Sequence, residues 1–393
     1  MQLSEKFLEA VYSQEPVSGY THDFYRYPAR FSPVFAREAV LSFSAVGDTV
    51  VDPFMGGGTS LVEARLHSRN AVGTDISSLA VFVAQVKTRL MSDRDMQEVE
   101  NWAASIDEAL NLRSVPVRAT DWIELGYQRN INTKRTWPIR KTIELVLSKV
   151  PELRWTRQQQ FARCVLLKTA QWALDCRTEL PSAGELRRQF RVFIAEMIKG
   201  ARAYSDAVSA NSKDRCKVAC LHRSAVGIDT DDVWENISPP RLILTSPPYP
   251  GVHVLYHRWQ IQGRRETPAP FWIAGTMDGC GASFYTFGDR KQHDLSNYYE
   301  HAQHAFRSLA RIADPETVVV QMVAFSDPSW QLPNYLKTMV GAGFEEFRFA
   351  KQSDSADGRL WRTVPNRKWY ASRKGNIGAS NEVVLFHRLR SRR

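Results

Sequence analysis

The residues best suited to chemistry are Ser246, Pro247, Pro248 and Tyr249, which follow the apolar run Leu242–Leu244 after a single threonine. Two adjacent prolines provide no backbone donors and stiffen the chain, so this stretch ends a strand rather than extending it. The prolines would fix the Ser246 hydroxyl and the Pro247 carbonyl as hydrogen-bond acceptors, beside the ring of Tyr249. As an isolated tetrapeptide, this stretch could instead be a solvent-exposed proline kink or a polyproline ligand.

Two fixed acceptors suit the methylation of an exocyclic amine, whose lone pair is delocalised into the base. If Ser246 Oγ and the Pro247 carbonyl accept its two N–H bonds, the nitrogen becomes pyramidal and its lone pair points at a methyl donor. Tyr249 would stack on a base swung out of the duplex. No cysteine lies nearby, which argues against methylation of cytosine carbon 5, because that reaction needs a covalent nucleophile. The sequence therefore predicts a catalytic loop at residues 246–249.

A second segment, DPFMGGGTS at residues 52–60, lies between a strand and a helix, where α/β sheets bind nucleotide-like ligands. It lacks the lysine of a phosphate-binding Walker loop, and a dinucleotide fingerprint starting at Gly56 would need glycine in place of Leu61. Asp52 suits a cationic amine or sulfonium, and Asp75 ends the next strand, where such folds bind ribose hydroxyls. A nucleoside with a cationic tail and no phosphate describes S-adenosylmethionine. The alternative is an ordinary glycine turn with two helix-capping aspartates.

The elements around these two loops predict an α/β fold. Strands and helices alternate as far as residue 90, and the alternation resumes at CKVACL, PRLILT and TVVVQMVAF, whereas residues 92–215 have helical periods. We predict a doubly wound, mostly parallel, seven-stranded Rossmann-like sheet with a helical insertion, closed by the antiparallel pair GFEEFRFA and NEVVLFHR. The predicted divisions are residues 1–91, the first half of this domain; 92–215, the helical insertion; and 216–393, the second half, with a DNA-facing loop at about 250–295.

Composition sets broad limits on the function. The 393 residues include 52 Lys and Arg against 42 Asp and Glu, and the net charge of +10 modestly favours a nucleic-acid partner. None of the five cysteines forms a Cys-x-x-Cys pair, so neither a disulfide framework nor a zinc knuckle is indicated. The N-terminus lacks a signal-peptide core and no apolar run approaches the ~18 residues of a membrane span, so we expect a cytoplasmic protein.

Two segments compete for the reading of DNA bases. The first, within the insertion, interleaves basic residues with tryptophan, as suits phosphates and exposed bases. The second follows the catalytic loop and is too long and aromatic for an ordinary connection. A third basic stretch lies near the C-terminus, and a metal site at His253, His257 and His293 is disfavoured because no acidic helical motif surrounds them. The candidate DNA contacts are Lys134, Arg135, Trp137, Arg140, Tyr256, His257, Arg264, Arg265 and Arg367.

These motifs together resemble the DNA amino-methyltransferases, which make N4-methylcytosine or N6-methyladenine. Phe54, Gly56 and Gly58 form the Phe-x-Gly-x-Gly of that family's cofactor loop, and TSPPY matches its catalytic loop in the serine form associated with N4-cytosine. HDFYRYPARFSPVFAREAV resembles its N-terminal cofactor motif, and LHRSAV the element lining the adenine pocket. The resemblance implies cofactor contacts from Pro28, Ala29, Phe31, Asp52, Phe54, Gly56, Gly58, Thr59, Asp75 and Ser224.

The resemblance also implies an activity: methyl transfer from S-adenosylmethionine to the N4 amine of a flipped-out cytosine in double-stranded DNA, with N6-adenine as the alternative target. A cognate restriction or defence-system protein is an expected partner, and neither a metal nor a membrane is expected. Methylation of RNA or of a protein amide remains a rival, as does a catalytically inactive DNA-binding module. Decay of the glycine loop or of TSPPY would mark the inactive module, and both are intact.

Overall fold

The structure, a computed structural model, describes most of the chain. The described residues are 2–27, 32–109, 112–113, 120–211, 216–250, 258–263, 265–277, 285, 287, 294–349, 355–363 and 381–391.

One mixed sheet forms the centre of the protein. Its strands are β1 (Thr49–Asp52), β2 (Asn70–Asp75), β3 (Val218–His222), β4 (Pro240–Thr245), β7 (Val318–Ala324), β8 (Phe344–Phe347), β9 (Leu360–Thr363) and β10 (Asn381–Leu389). A separate antiparallel hairpin is made of β5 (Trp259–Ile261) and β6 (Arg265–Thr267).

The strand order in the main sheet is β3-β2-β1-β4-β7-β10-β8, and β9 also pairs with β10. The first five strands in this order are parallel, whereas β10 is antiparallel to β7. Because β8 pairs with residues 386–389 of β10 and β9 with residues 381–384, the two short strands share one edge position. The sheet thus has seven positions, and the predicted Rossmann-like fold and its closing antiparallel pair are confirmed.

Helices cover both faces of this sheet. They are α1 (Glu5–Tyr12), α2 (Pro33–Phe43), α3 (Thr59–Leu66), α4 (Ser78–Thr88), α11 (Ser296–Ile312) and α12 (Pro328–Ala342). Neighbouring strand residues point to opposite faces, so Val50 packs with helices α1–α4 while Val51 packs with α11 and α12. Burial on both sides explains why the strands are continuous apolar runs such as Leu242–Leu244 rather than alternating ones.

The strand order reverses between β1 and β4. From β1 the chain proceeds to β2 and β3 on one side, and β4 then starts the other side with β7. In open α/β sheets, ligands bind at such a reversal, beyond the carboxyl ends of the strands. Asp52 ends β1 there and Ser246 follows β4, so the fold brings the two sequence motifs to one crevice.

The segment between β2 and β3 is helical, as predicted. It contains α5 (Asp93–Ala109), α6 (Thr120–Glu124), α7 (Trp137–Lys149), α8 (Thr156–Leu174) and α9 (Ala183–Asn211). These helices do not form a core by themselves: one apolar cluster unites them with the β5–β6 hairpin and with α10 (Ala269–Ala274). We call α5–α10 and the hairpin the helical module. The described parts of the two segments predicted to compete for DNA therefore belong to one folded unit. No helix in the described ranges is both long and apolar enough to cross a membrane.

Candidate active site

The glycine loop between β1 and α3 is shaped by close approach to α4. Gly56 and Gly58 have φ angles of +47° and +73°, a region that favours glycine. A Cβ on Gly58 would lie 2.8 Å from Cβ of Ala84, so this position has room only for hydrogen. α3 begins directly after Gly58, and its first residue, Thr59, has a buried hydroxyl with no hydrogen-bond partner in the described structure. The loop thus places helix N–H groups and an unsatisfied hydroxyl in the crevice.

Asp52 connects the glycine loop to β4, the strand that precedes Ser246. Its Oδ1 accepts from the Phe54 N–H at 3.1 Å and from Thr245 Oγ1 at 2.8 Å, and its Oδ2 accepts from Ser60 Oγ. Burial raises the pKa of this carboxyl to about 6, although the hydrogen bonds from Ser60, Thr245 and Phe54 oppose the shift. Asp52 is only 2% exposed, and its hydrogen bonds hold the glycine loop against β4. The predicted contact with a cationic ligand stays a prediction.

Asp75 occupies the corresponding place at the end of β2 and is partly exposed. Its Oδ2 accepts from the Gly56 N–H at 3.0 Å and its Oδ1 from the Ser77 N–H at 2.8 Å. The surrounding protein raises the pKa of Asp75 to about 6 by desolvation, against the effect of these two bonds. Unlike Asp52, this carboxylate combines a fixed orientation with access to the crevice, which suits the predicted ribose contact.

The catalytic loop lies at the same edge with its polar groups engaged. The Ser246 hydroxyl donates to the Tyr249 hydroxyl at 3.0 Å, and that hydroxyl donates to Glu382 Oε1 at 2.8 Å. Tyr298 in α11 donates to the Pro248 carbonyl at 2.6 Å, which fixes the second proline. Ser246 is partly exposed, but Tyr249 is only 7% exposed. The ring of Tyr249 therefore packs into the core rather than presenting an open face, and stacking on a base would require it to move.

Aromatic side chains close the space between the two loops. Phe54 of the glycine loop contacts Phe287 with ring centroids 5.4 Å apart, and Phe287 contacts Tyr298 at 5.7 Å. Phe54 was predicted as a cofactor residue, and it is partly exposed at this position. The contacts show that the glycine loop and the catalytic loop share one aromatic wall.

The N-terminal motif reaches the glycine loop through Tyr27. A Cβ on Gly57 would lie 3.0 Å from Cβ of Tyr27, so the tyrosine lies directly against the loop. Just before it, Gln171 of α8 holds the backbone of Arg26 at two points, accepting from its N–H at 3.2 Å and donating to its carbonyl at 3.0 Å. Pro28, Ala29 and Phe31 lie outside the described residues. The helical module is thus bonded to the segment leading into the predicted cofactor motif.

Ser224 lies in the turn after β3 and is exposed. Its hydroxyl accepts from the Val226 N–H at 3.1 Å. Nearby, His222 at the end of β3 contacts the Ile76 carbonyl at 3.2 Å, directly after Asp75. His222 and Ile76 were not singled out from the sequence, although their positions at strand ends could have indicated them.

The candidate DNA contacts separate into two groups. Lys134, Arg135 and Trp137 are exposed at the start of α7, and Arg265 is exposed on β6. Asn130, shortly before Lys134 in the sequence, donates to the Glu266 carbonyl at 2.7 Å. This bond joins the loop before α7 to β6. Arg140 differs, because its guanidinium is mostly buried and paired with Glu144 and Gln128. The candidates Tyr256, His257, Arg264 and Arg367, and the histidines His253 and His293, lie outside the described residues.

Sequence comparison agrees with this arrangement. Residues 3–85 match the model of the N6/N4 methyltransferase family, described as DNA methylase. Type II methyltransferase M.MvaI of Kocuria varians is 39% identical over 71 residues, 17% of this chain and 16% of that protein. Orphan methyltransferase M.BamHII of Bacillus amyloliquefaciens is 45% identical over 53 residues, 14% of this chain and 20% of that protein.

The N-terminal part of the chain is thus similar to DNA amino-methyltransferases. A third relative, Type II methyltransferase M.MjaII of Methanocaldococcus jannaschii, is 29% identical over 87 residues, 22% of this chain and 16% of that protein. Each alignment thus spans less than a quarter of the relative's length. The rRNA methyltransferase aviRa of Streptomyces viridochromogenes is 13% identical and covers 98% of this chain and 94% of that chain, at a TM-score of 0.34. A TM-score this low carries no argument about function.

The similarity to DNA methylases implies S-adenosylmethionine as the cofactor, and the residues of the crevice fit it. The closely packed glycine loop, the N-terminus of α3 and the unsatisfied Thr59 hydroxyl suit the polar methionine end. Asp75 suits the ribose hydroxyls. These residues would hold the methyl donor beside the catalytic loop, to which Asp52 and Thr245 fix the glycine loop.

Proposed function

We propose that the protein transfers a methyl group from S-adenosylmethionine to the N4 amine of cytosine in double-stranded DNA. The observation that carries the proposal is the hydrogen bond from Thr245 to Asp52 at 2.8 Å, which joins the glycine loop to the strand carrying Ser246. The proposed methyl-donor site and the proposed pair of amine acceptors would therefore share one crevice, at the reversal of strand order. The serine in the first position of the loop supports cytosine over adenine as the target.

The catalytic loop would act by orientation. Ser246 Oγ and the Pro247 carbonyl would each accept one N–H of the target amine, so that the nitrogen lone pair points toward the donor. Bound S-adenosylmethionine supplies an electrophilic methyl group at that point. Pro247 is buried, and Tyr298 fixes the neighbouring Pro248 through its carbonyl, so the loop keeps its shape without a ligand. Acceptors that need no reorganisation lower the barrier most effectively.

The helical module is the proposed DNA-binding part. Its exposed Lys134 and Arg135 lie on the loop before α7, and the exposed Trp137 begins that helix. The same loop is bonded through Asn130 to β6, which carries Arg265. Basic side chains would contact phosphates, and an exposed tryptophan suits an unstacked base. We omit Arg140 from this surface because Glu144 and Gln128 already engage its guanidinium. A restriction or defence-system partner fits the Type II names of two relatives and belongs to the proposal.

Expression in a methylation-free host tests the activity and the target together. Nucleoside mass spectrometry of the host DNA should show N4-methylcytosine, and single-molecule sequencing should place it in a short recurring sequence. N6-methyladenine in its place would reassign the target, and the absence of both with folded protein present would contradict the proposal. RNA from the same cells serves as the competing substrate.

The variant Ser246→Ala gives a matched test of the catalytic loop. It removes one acceptor of the amine and leaves the glycine loop unchanged, so we expect kcat to fall by about 10²-fold or more. The Kd for S-adenosylmethionine, measured by calorimetry, should change less than about threefold. Asp75→Ala should show the reverse pattern, and an equal loss of turnover and cofactor affinity in Ser246→Ala would contradict the role of Ser246.

A further inference from the structure

Behind the catalytic loop, a chain of hydrogen bonds leads from Ser246 into the sheet. Ser246 Oγ donates to the Tyr249 hydroxyl at 3.0 Å, and Tyr249 donates to Glu382 Oε1 at 2.8 Å. Arg362 then donates to Glu382 Oε2 through Nε at 2.9 Å. Glu382 is 3% exposed and Tyr249 is 7% exposed, so the chain lies inside the protein. It ends at a salt bridge between Arg362 on β9 and its register partner Glu382 on β10.

The salt bridge sets the direction of every hydrogen bond in this chain. Arg362 and Glu382 form a salt bridge, and the carboxylate of such a pair can only accept hydrogen bonds. The single proton of the Tyr249 hydroxyl must therefore point toward Glu382. The oxygen of Tyr249 is then an acceptor, so it takes the single proton of Ser246. With that proton directed inward, Ser246 presents only lone pairs to the crevice.

We propose that Tyr249, Glu382 and Arg362 are positioning residues that hold Ser246 as a permanent acceptor for the target amine. This inference rests on the proposed function, in which Ser246 accepts an N–H of the base. A free serine hydroxyl rotates and can turn its proton toward the amine, where the two donors repel each other. The buried chain of hydrogen bonds prevents this orientation of the Ser246 hydroxyl. The task of Tyr249 thus lies in its hydroxyl, whether or not its ring also contacts a base.

A second salt bridge in the same sheet provides a control for structural effects. Arg359 binds Glu346 on β8 through two bonds of 2.7 and 2.8 Å, and both side chains are largely buried. This pair resembles Arg362 and Glu382 in chemistry, and β8, which carries Glu346, also pairs with β10. Among the described residues, its hydrogen bonds do not lead to the catalytic loop. The variant Glu346→Gln therefore measures the effect on turnover of losing a largely buried carboxylate without disturbing Ser246.

The key variant is Glu382→Gln, which keeps the size of the side chain. Its amide oxygen would face Arg362, and its NH2 group would then donate to Tyr249, reversing the chain so that Ser246 donates into the crevice. We expect kcat for DNA methylation to fall about 10- to 100-fold, with the KM for DNA and the Kd for S-adenosylmethionine within about twofold of wild type. Tyr249→Phe, which keeps the ring, should lose about tenfold in kcat. Glu346→Gln should retain wild-type kcat.

The double variant tests whether Tyr249 and Glu382 act through one chain. If they do, Tyr249→Phe with Glu382→Gln should lose no more than the worse single variant, because residues acting as a unit are not additive. Losses that multiply would overturn the inference, as would an equal loss of kcat in Glu346→Gln. Neutron diffraction of the deuterated wild-type protein shows the direction of these hydrogen bonds without an activity assay. Deuterons pointing from Ser246 to Tyr249 and from Tyr249 to Glu382 support it, and the opposite direction overturns it even if DNA methylation is robust.

Discussion

At the scale of single residues, two aspartates whose pKa burial raises to about 6 have different surroundings. Asp52 receives two of its hydrogen bonds from the hydroxyls of Ser60 and Thr245, which can donate or accept. Asp75 receives its bonds from the backbone N–H groups of Gly56 and Ser77, which can only donate. An asparagine amide can therefore replace the carboxylate of Asp52, because its NH2 group can donate to a hydroxyl. At Asp75 the same NH2 group would face a backbone N–H donor.

This difference predicts a pH-dependent effect of Asp52→Asn. The pKa of Asp52 is raised from 3.8 to about 6, so between these values the folded chain holds a proton that the unfolded chain has released. Stability from this group is therefore fully present below about pH 4 and is lost as the pH rises through 6. Relative to Asp52→Asn, wild type should lose about 2–3 kcal/mol of unfolding free energy over that range. Urea denaturation of wild type and Asp52→Asn at pH 4, 5, 6 and 7 measures this loss. Unfolding free energies that change with pH in parallel for the two proteins would contradict the prediction. Asp75→Asn should instead be destabilised throughout.

At the scale of elements, the glycine loop combines two separate constraints. Gly58 has both a left-handed backbone and a close contact with Ala84 on α4, whereas Gly47, with a φ of +88°, has no atom within 4 Å of an added Cβ. Comparing the two positions separates the backbone cost from the steric cost. The contact between Gly58 and Ala84 matters for function because it sets how closely α3 and α4 approach each other around the crevice.

Gly47→Ala and Gly58→Ala form the matched pair. Gly47→Ala should cost about 1 kcal/mol of unfolding free energy from backbone strain alone. Gly58→Ala should cost about 2–4 kcal/mol, since the added methyl group also displaces α4, and it should weaken S-adenosylmethionine binding at least tenfold. Thermal denaturation and calorimetry provide the measurements. Equal costs at the two positions would show that α4 yields to the methyl group without strain.

Elements also differ in how far the sequence could predict them. The strand ends at Asp52, Asp75 and Thr245 were predictable because each motif combines a local apolar run with its turn. Glu382 was not, since only the antiparallel register places it beside Ala324, at the catalytic edge. The internal pairing of Arg140 had a signal that was missed, because Glu144 follows it by four residues on one helix.

At the scale of the whole molecule, the helical module joins segments that are far apart in sequence. The backbone of Cys176, after α8, donates to the Gln260 carbonyl at 2.8 Å, and Trp259 donates to the Tyr25 hydroxyl at 3.0 Å. Sequence patterns reveal each helix but not such contacts between distant segments, which explains why the insertion and the loop after Ser246 looked like competitors. Their union places Lys134 and Arg135 in the same unit as Arg265.

The distribution of charge over this unit gives the last prediction. If the net charge of +10 served DNA binding without a particular surface, any two positive residues would contribute equally. Our proposal instead predicts that Lys134→Ala with Arg135→Ala weakens DNA binding about tenfold or more and lowers the slope of log K against log salt by up to ~1.8, for two phosphate contacts. The control is Lys217→Ala with Arg241→Ala, which removes one exposed and one partly exposed positive charge at the amino ends of β3 and β4, opposite the crevice. Fluorescence anisotropy at 50 to 200 mM salt compares the two pairs. Equal slopes would place the DNA on another surface.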